Sequence, residues 1–206
     1  MHISGGSILF KAPQKTRITA TGAGVYVTPA GAMYLEINIK GAGSGGRGSG
    51  TSPGSSAAAG NTTFGVLLAN GGGAVTSASG GIGGTASGGD LNRPGQNGAN
   101  APTGYTNSPG GNGGGDLGQS SVASQAGTSA VSNTGCGGAG AGAAGTASPG
   151  PGGAEGGYVE KLITSPAVSY NYNVGAKSVG GTAGTSGFAG GDGADGYIEV
   201  IAHFGL

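Results

Sequence analysis

Alternating apolar and polar positions occur near the two ends of the chain and are scarce between them. The clearest stretches are residues 33–40 and 197–204, where every second residue is apolar. Their inward positions are Met33, Leu35, Ile37 and Ile39 in the first stretch and Ile198, Val200, Ala202 and Phe204 in the second. Period-two alternation is typical of strands that bury one face. We therefore predict strands within four regions, 24–40, 62–70, 158–174 and 197–204, and residues 17–21 are also β-type.

Six or seven short strands in these regions favour a small antiparallel β-sandwich. Three insertions separate the strand regions, residues 41–61, 71–157 and 175–196, and all three are rich in Gly, Ala, Ser and Thr. The sequence thus predicts an all-β protein with no α-helix. A small sandwich would form its base, and the insertions would form Gly-rich helices of the polyproline II type and long loops.

Composition narrows the class of protein. Gly accounts for 54 of the 206 residues, about a quarter of the chain against a usual share of ~7%. Leu, Ile, Val and Phe together fall below the ~20% at which a conventional core becomes doubtful. An ordinary helical or doubly wound enzyme is therefore nearly excluded. Charged residues are only 8% with zero net charge, whereas chains that stay unfolded combine low hydrophobicity with high net charge.

Charge and cysteine content exclude several partners. The eight Lys and Arg residues are spread along the chain without a basic cluster, so we expect neither nucleic acid nor an anionic membrane as a partner. The apolar run at residues 8–10 is too short for the core of a signal peptide or for a membrane span. The single Cys136 has no disulfide partner and no metal ligand at a suitable spacing, so we expect it to be a small buried side chain.

A period of three runs through the Gly-rich insertions. Small residues recur at every third position in two tracks: Gly181, Gly184, Gly187, Gly190, Gly193 and Gly196, and Gly135, Gly138, Ala141, Ala144, Ala147, Gly150, Gly153 and Gly156. Three residues per turn is the period of the polyproline II helix, which makes no internal hydrogen bonds. Its amides need partners on neighbouring segments, and inward Gly lets those segments approach without a Cβ between them. Collagen is the competing interpretation, but five triplets without proline are too few for a collagen triple helix.

Four stretches of the sequence form a distinctive series. They are VYVTPAGAMYLEINIKGAGSGG, TTFGVLLANGGG, GGYVEKLITSPAVSYNYNVGAKSVGGTAG and GGDGADGYIEVIAHF, and they fall in this order between residues 24 and 204. The series resembles the glycine-rich domain at the distal ends of bacteriophage tail fibres, and its last member is the most distinctive.

The resemblance implies a non-enzymatic tail-fibre tip that recognises a bacterial surface receptor, an outer-membrane protein or a glycan, through Gly-rich polar loops. The protein would be located in the virion after synthesis in the host cytoplasm. Residues 1–23 would be an N-terminal attachment segment that joins an upstream fibre or another virion protein, and residues 24–206 the glycine-rich tip domain. Because fibres are usually three-fold, we expect a homotrimer, while the small apolar content leaves a monomer open.

Residues 90–109 contain the candidates for receptor contact. Tyr105 offers a flat amphipathic surface and Arg93 a fork of donors, and both residue types are enriched at binding hot spots. The amide side chains that accompany them suit hydrogen bonds to sugar hydroxyls or to a protein loop, and they are Asn92, Gln96, Asn97, Asn100 and Asn107. Residues 116–134 form a second candidate loop. The alternative is that all these residues are solvated and have no partner.

Two motifs suggest cofactor or metal binding, but their contexts argue against it. The run GAGSGG, residues 41–46, fits a dinucleotide-binding fingerprint, but no helix-forming sequence follows it and no acidic residue lies between Glu36 and Asp90, as that fingerprint would require. The run GGDGADGYI fits one copy of a calcium-binding repeat. Calcium in such repeats binds between successive turns, so one copy supplies half a site. We expect no cofactor and no metal.

Catalytic side chains do not cluster in the sequence. His2 and His203 lie at opposite ends, and the close carboxylates sit in Gly-rich turns, where nothing would shield them from water. We therefore expect no enzymatic activity. Two other functions remain open, a structural fibre end or capsid decoration protein whose loops bind nothing, and an ice-binding protein with flat faces rich in Thr and Ala.

Overall fold

The computed structural model describes residues 11–102, 107–145 and 147–205. These residues contain ten β-strands and no helix: β1 (Gln14–Ile18), β2 (Gly22–Val27), β3 (Ala32–Lys40), β4 (Thr62–Phe64), β5 (Leu67–Ala69), β6 (Ala86–Ser87), β7 (Leu91–Arg93), β8 (Tyr158–Ile163), β9 (Ser169–Val174) and β10 (Tyr197–Phe204). The prediction of an all-β protein is confirmed. Most residues between the strands belong to the Gly-rich segments, which we define as residues 41–61, 70–85, 94–157 and 175–196.

The strands form two antiparallel sheets of five strands each. The first sheet has the order β1-β10-β3-β8-β7, and the second has the order β2-β9-β4-β5-β6. One hydrophobic cluster takes residues from both sheets, among them Leu35 and Ile37 of β3 and Phe64 of β4, all almost fully buried. Phe64 stacks on Tyr170 of β9, with 4.9 Å between the ring centroids. The two sheets therefore share one hydrophobic core.

Period-two alternation identifies the inward face of β3 and β10 with one exception. Leu35, Ile37 and Ile39 are buried, but Met33 is 60% exposed. The register explains the difference. Tyr34 pairs with His203 and Ala32 pairs with Phe204, so the pairing skips Met33. The β-bulge at this point removes Met33 from the alternation of the strand.

Two strands lie where the sequence pattern predicted none, and a third is shifted. β1 overlaps the β-type residues 17–21 but begins three residues before them, and it pairs along its whole length with β10. The short strands β6 and β7 lie within the predicted insertion 71–157 and extend the edges of the two sheets. Strands of two or three residues are too short to show alternation, and their pairing depends on neighbours that are distant in sequence.

Backbone hydrogen bonds between the Gly-rich segments recur every third residue. Residues 175–196 fold back on themselves, so that Gly190 donates to Gly181, Gly193 to Ser178 and Gly196 to Gly175, at N···O distances of 2.9, 3.0 and 3.0 Å. The donors are members of the first glycine track. The three-residue spacing of that track is thus the spacing of the hydrogen bonds.

The second track behaves in the same way. Residues 135–156 form a hairpin in which Gly150 donates to Ala141, Gly153 to Gly138 and Gly156 to Gly135, at 2.8, 2.8 and 2.9 Å. Both partners of each bond belong to the track. Cys136 lies within this hairpin and is buried, as predicted.

Residues 42–50 lie at the centre of the Gly-rich segments and bond to several neighbours at once. The amides at positions 43, 46 and 49 donate to the segment 188–194, and the carbonyls at the same positions accept from the segment 178–184. The amides at positions 44, 47 and 50 donate to a third neighbour, residues 148–154. Successive residues therefore bond in different directions, and the segment is surrounded by partners.

Glycine is required at many of these positions because backbones touch there. A Cβ on Gly190 would overlap the carbonyl oxygen of Gly46, and a Cβ on Gly193 would overlap that of Gly43. The obstacle in each case is main chain of a neighbouring segment, which cannot move aside as a flexible side chain could. Any larger residue at these positions must force the segments apart.

We expect amide exchange to follow the period of three. Gly181, Gly190 and Gly193 donate to neighbouring segments, whereas Thr182, Ala183 and Ala189 are not backbone donors among the bonds that the described residues form. Hydrogen–deuterium exchange is measured by NMR, and each rate is divided by that of the same residue in an unstructured peptide. The resulting rates should be roughly 100-fold or more slower for the first set of residues than for the second. Uniformly fast exchange across residues 180–196 would contradict the described packing.

We expect Gly190→Ala to lower the free energy of unfolding by about 3 kcal/mol, the upper end of the usual cost of overpacking. For a chain of this length the corresponding fall in Tm is roughly 6–12 °C. The matched control is Ala189→Ser, because Ala189 is the exposed neighbour of Gly190 and should tolerate the change. Thermal unfolding followed by circular dichroism measures both, and equal Tm values for the two variants would show that the close approach is unimportant.

Candidate functional site

The Gly-rich segments extend from one end of the two sheets. Lys40 ends β3, and its register partners Tyr158 and Tyr197 begin β8 and β10, so three Gly-rich segments begin or end side by side. The segments then turn back at their far ends, at residues 51–53, 76–79, 122–125, 143–145 and 184–187, and the chain also turns beside Asn107. We call these residues and Asn107 the distal surface. Hydrogen bonds from Gly50 to Ser148 and from Ala101 to Ala78 join neighbouring parts of this region.

Backbone conformation marks the distal turns. Five residues other than Gly have positive φ among those described: Ser52, Asn107, Ser124, Asn133 and Ser186. All except Asn133 belong to the distal surface. Left-handed backbone costs free energy in a residue with a side chain, so the polar residues at these turns are held there by their surroundings.

The structure separates the residues predicted for receptor contact. Asn92 and Arg93 belong to β7 and lie at the base, where Arg93 pairs with Tyr158 of β8. The Asn92 side chain both accepts from the amide of Gly89 and donates to its carbonyl, at 3.0 and 2.9 Å. Asn92 thus closes the turn before its own strand. Arg93 is exposed but lies at the opposite end of the Gly-rich segments from Asn107.

Gln96, Asn97 and Asn100 lie along one Gly-rich segment between the base and the distal surface. The Asn97 Oδ1 accepts from the amide of Gly83 at 2.8 Å, and the Asn100 Oδ1 accepts from that of Gly80 at 2.9 Å. Both side chains therefore satisfy glycine amides of the adjacent segment. Their side-chain NH₂ groups remain available to donate hydrogen bonds to a partner.

Gln96 belongs to a polar group near the base. Its amide N donates to the Glu155 carboxylate at 2.9 Å, and its side-chain Nε2 donates to Asp116 at 3.2 Å. Gln96 is thereby fixed against the loop at residues 115–118 rather than directed to the distal surface.

Among the predicted residues that the structure describes, Asn107 is the one at the distal surface. Its Oδ1 accepts from the amide of Gly145 at 2.7 Å, and its φ is 54°, which suits Asn better than most residues. Tyr105, the predicted aromatic contact, lies outside the described residues.

Sequence reasoning missed much of the distal surface. Thr51 and Thr185 face each other through paired backbone hydrogen bonds and are exposed, as are Ser52 and Ser186 beside them. Phe188 lies close by and is half-buried, with its amide bonded to the Ser49 hydroxyl at 2.9 Å. Thr and Ser are abundant throughout the chain, so only the fold distinguishes these residues. Together they offer hydroxyls and one aromatic side chain.

A second candidate is a cleft of about 340 Å³ on the outer face of the first sheet. Its floor includes Lys40, Tyr158 and Tyr197, and loop residues such as Asp116 and Asn133 form its walls. Burial raises the pKa of the Tyr158 phenol well above its ordinary value, and the neighbouring Glu160 carboxylate adds to the effect. Burial also raises the pKa of Tyr197. Both phenols therefore stay neutral at physiological pH.

The charged groups of this cleft all have partners, and Lys40 and Glu155 pair with each other. Lys40 forms a largely buried ion pair with Glu155, at 2.5 Å. Arg17 donates to the carbonyl of Asn133 at 3.0 Å, and its guanidinium lies 4.5 Å from the centre of the Tyr197 ring. These contacts connect the first sheet to the Gly-rich loops on either side of the cleft.

The carboxylates of the calcium-like run act as acceptors for neighbouring donors. Asp192 accepts from the amide of Gly180 and from the Lys177 Nζ, both at 2.9 Å, and Asp195 accepts from the amide of Lys177 at 2.8 Å. Burial alone would raise the pKa of Asp192, but the two hydrogen bonds and the lysine charge outweigh it and lower the pKa below its ordinary value.

No group of three or more His, Cys, Asp or Glu side chains suited to a metal ion occurs within residues 11–102, 107–145 and 147–205. The same part of the chain has no helix that could span a lipid bilayer. A comparison with protein-family models finds no match to this sequence, and a comparison with curated proteins finds none either.

We expect Asn97→Ala to lower the free energy of unfolding by about 1 kcal/mol, because it removes the acceptor of the Gly83 amide. Asn112→Ala is the matched control. Asn112 is an exposed asparagine in a neighbouring Gly-rich segment, and its side chain forms none of the hydrogen bonds described here. Chemical denaturation should show a lower midpoint for Asn97→Ala only. A control variant that is equally destabilised would mean that the Asn97 bond has no special weight.

Proposed function

We propose that this chain is the non-enzymatic tip of a bacteriophage tail fibre and recognises a receptor on the bacterial surface. The support comes from the series of four sequence stretches and from the distal surface. Polar turns, several with strained backbones, are displayed there at the far end of hydrogen-bonded segments. This arrangement suits recognition, because loops on a rigid support can contact a partner without a large loss of chain entropy.

We also propose the finer architecture. The two sheets form a β-sandwich base, and the Gly-rich segments are polyproline II helices packed side by side. The recurrence of lateral hydrogen bonds at every third residue and the contact of glycine Cα atoms with neighbouring backbones support the helices. The shared hydrophobic cluster supports the sandwich.

The receptor-contact residues, in this proposal, are those of the distal surface, Asn107 included, and Tyr105, which lies outside the described residues. Asn100 lies between the base and this surface. Arg93, Asn92 and Gln96 lie at or near the base and are therefore less suited to receptor contact. The receptor is an outer-membrane protein or a glycan. Residues 1–23, of which 1–10 lie outside the described residues, attach the chain to an upstream fibre or to another virion protein. By analogy with fibres the chain assembles as a homotrimer.

A structural role is the second candidate. The main-chain groups of the Gly-rich segments are bonded to one another to a large extent, which suits a fibre end or a capsid decoration protein that only needs rigidity.

Ice binding is the third candidate. The segment 176–185 exposes Ala176, Thr182 and Thr185, and Ala and Thr are the residue types of an ice-binding face. A measurement of thermal hysteresis on the purified protein decides that third possibility.

Adsorption of the fluorescently labelled protein to a panel of intact bacterial strains tests the receptor-binding function. We expect binding to at least one strain, and a loss of roughly tenfold or more in affinity for the distal variant Thr51→Arg with Thr185→Arg, as for the removal of a binding hot spot. The matched control, Gln14→Arg with Leu162→Arg, places the same charge on exposed positions of the first sheet and should bind as the unmodified protein does.

Two results would count against receptor binding. Absence of binding to every strain favours the structural role, and equal loss of binding in both double variants would show that the distal surface is not the contact. Removal of outer-membrane proteins from a bound strain then separates a protein receptor from a glycan.

A further inference from the structure

Charge is distributed unequally between the two sheets. The chain has 8 Lys and Arg residues and 8 Asp and Glu residues. Half of them lie in strands β1, β3, β7, β8 and β10 of the first sheet, and none lies in β2, β4, β5, β6 or β9 of the second. The first sheet also forms ion pairs on its outer face, such as Lys15 with Glu199 at 2.8 Å. The second sheet is uncharged on both of its faces.

The uncharged character continues beyond the strands of the second sheet. Residues 18–35, 48–89 and 162–176 contain no charged residue, and they include the extended segments that join this sheet. Several of the charges that border these stretches form ion pairs away from this sheet. Asp90 bonds to Lys161 of β8, and Lys177 bonds to Asp192 in the segment that leads into β10.

Aliphatic side chains are exposed on or beside the outer face of the second sheet. Val25 and Val27 of β2 are 58% and 66% exposed, Val66 in the turn after β4 is 90% exposed, and Val168 before β9 is 83% exposed. Their neighbours on this face are neutral, with Val25 in register with Asn171. The face therefore combines exposed valines with uncharged hydrogen-bonding groups.

We propose that the outer face of the second sheet, with the uncharged segments 54–60, 71–75 and 80–84 that continue it, is the surface through which two copies of this chain associate. The proposal concerns the chain alone and does not depend on the receptor. This face would be the contact surface of the homo-oligomer, and its burial there would explain why this side of the molecule carries no charge.

Desolvation favours this surface over the rest of the molecule. Association through the first sheet would remove water from charged groups, which costs several kcal/mol per ion unless every ion is paired. Association through the second sheet buries only uncharged side chains, such as Val25, Asn171 and Thr63. The cores of protein interfaces are depleted of charged residues in the same way.

The available area is sufficient for a small interface. The outer face of the five strands covers roughly 320 Å², from a strand spacing of ~4.8 Å and a rise of ~3.3 Å per residue. The continuing segments add roughly 250 Å² at a rise of about 3.1 Å per residue. Two copies together would bury roughly 1,100 Å², above the ~1,000 Å² that a biological interface should exceed.

A second copy is the occupant that the charges favour. A partner with a charged surface would have to leave those charges unpaired against this face, since the face offers no counter-charge. The same face on another copy is also uncharged, so its burial leaves no charge unpaired. Two-fold and three-fold arrangements of the copies can both bring these faces together.

Light scattering coupled to size-exclusion chromatography tests the proposal on the purified full chain. We expect a mass two or three times the 18.9 kDa of one chain. Val25→Lys with Val27→Lys should give a single chain, because lysines on both copies would meet within the interface. The matched control, Met33→Lys with Leu162→Lys, changes two exposed aliphatic side chains of the first sheet and should keep the multimeric mass.

Thr63→Lys provides an independent variant on β4, and circular dichroism of each variant establishes that it is folded. If the double valine variant does not fold, the mass of Thr63→Lys decides the question. A single-chain mass for the unmodified protein overturns the proposal, and so does a multimeric mass for the folded variants with lysine on the second sheet. Loss of the multimer in the first-sheet control would equally show that the wrong face had been chosen.

Discussion

The structure depends on direct contact between bare polypeptide backbones. At most inward positions of the Gly-rich segments a glycine Cα lies against the carbonyl of a neighbouring segment, and the adjacent amides bond laterally. A net hydrogen bond contributes only about 0.5–1.5 kcal/mol, and fixing a residue's backbone costs about 1–2 kcal/mol. The segments therefore need the two sheets to hold their ends together, and the hydrophobic cluster that the sheets share stabilises that base.

Periodicity predicted the parts of the fold in which one residue type repeats at a fixed interval. Alternation identified β3 and β10, and the glycine tracks coincide with the donors of the lateral bonds, for example at Gly190 and Gly153. The bulge that exposes Met33 could not be predicted, because it depends on the pairing of β3 with β10. β7 escaped notice for a similar reason, since three residues are too few to show a pattern.

The candidate site was harder to predict than the fold. Asn97 and Asn100 were chosen for what an amide can offer to a receptor, yet each one accepts from a glycine amide 14 or 20 residues away in sequence. The distal threonines and serines carry no signal in the sequence, because such residues are common along the whole chain. Which polar side chains are free for a partner depends on how the segments pack, and that packing is a property of the three-dimensional structure.

The period of three has a consequence for how such a protein changes over time. An insertion of one or two residues in a Gly-rich segment would rotate every later glycine away from its neighbour and place larger residues against the backbone. An insertion of three residues would keep the phase and lengthen the segment by about 9 Å, at a rise of ~3.1 Å per residue. Related chains should therefore differ in segment length by multiples of three, while their turns vary freely in sequence.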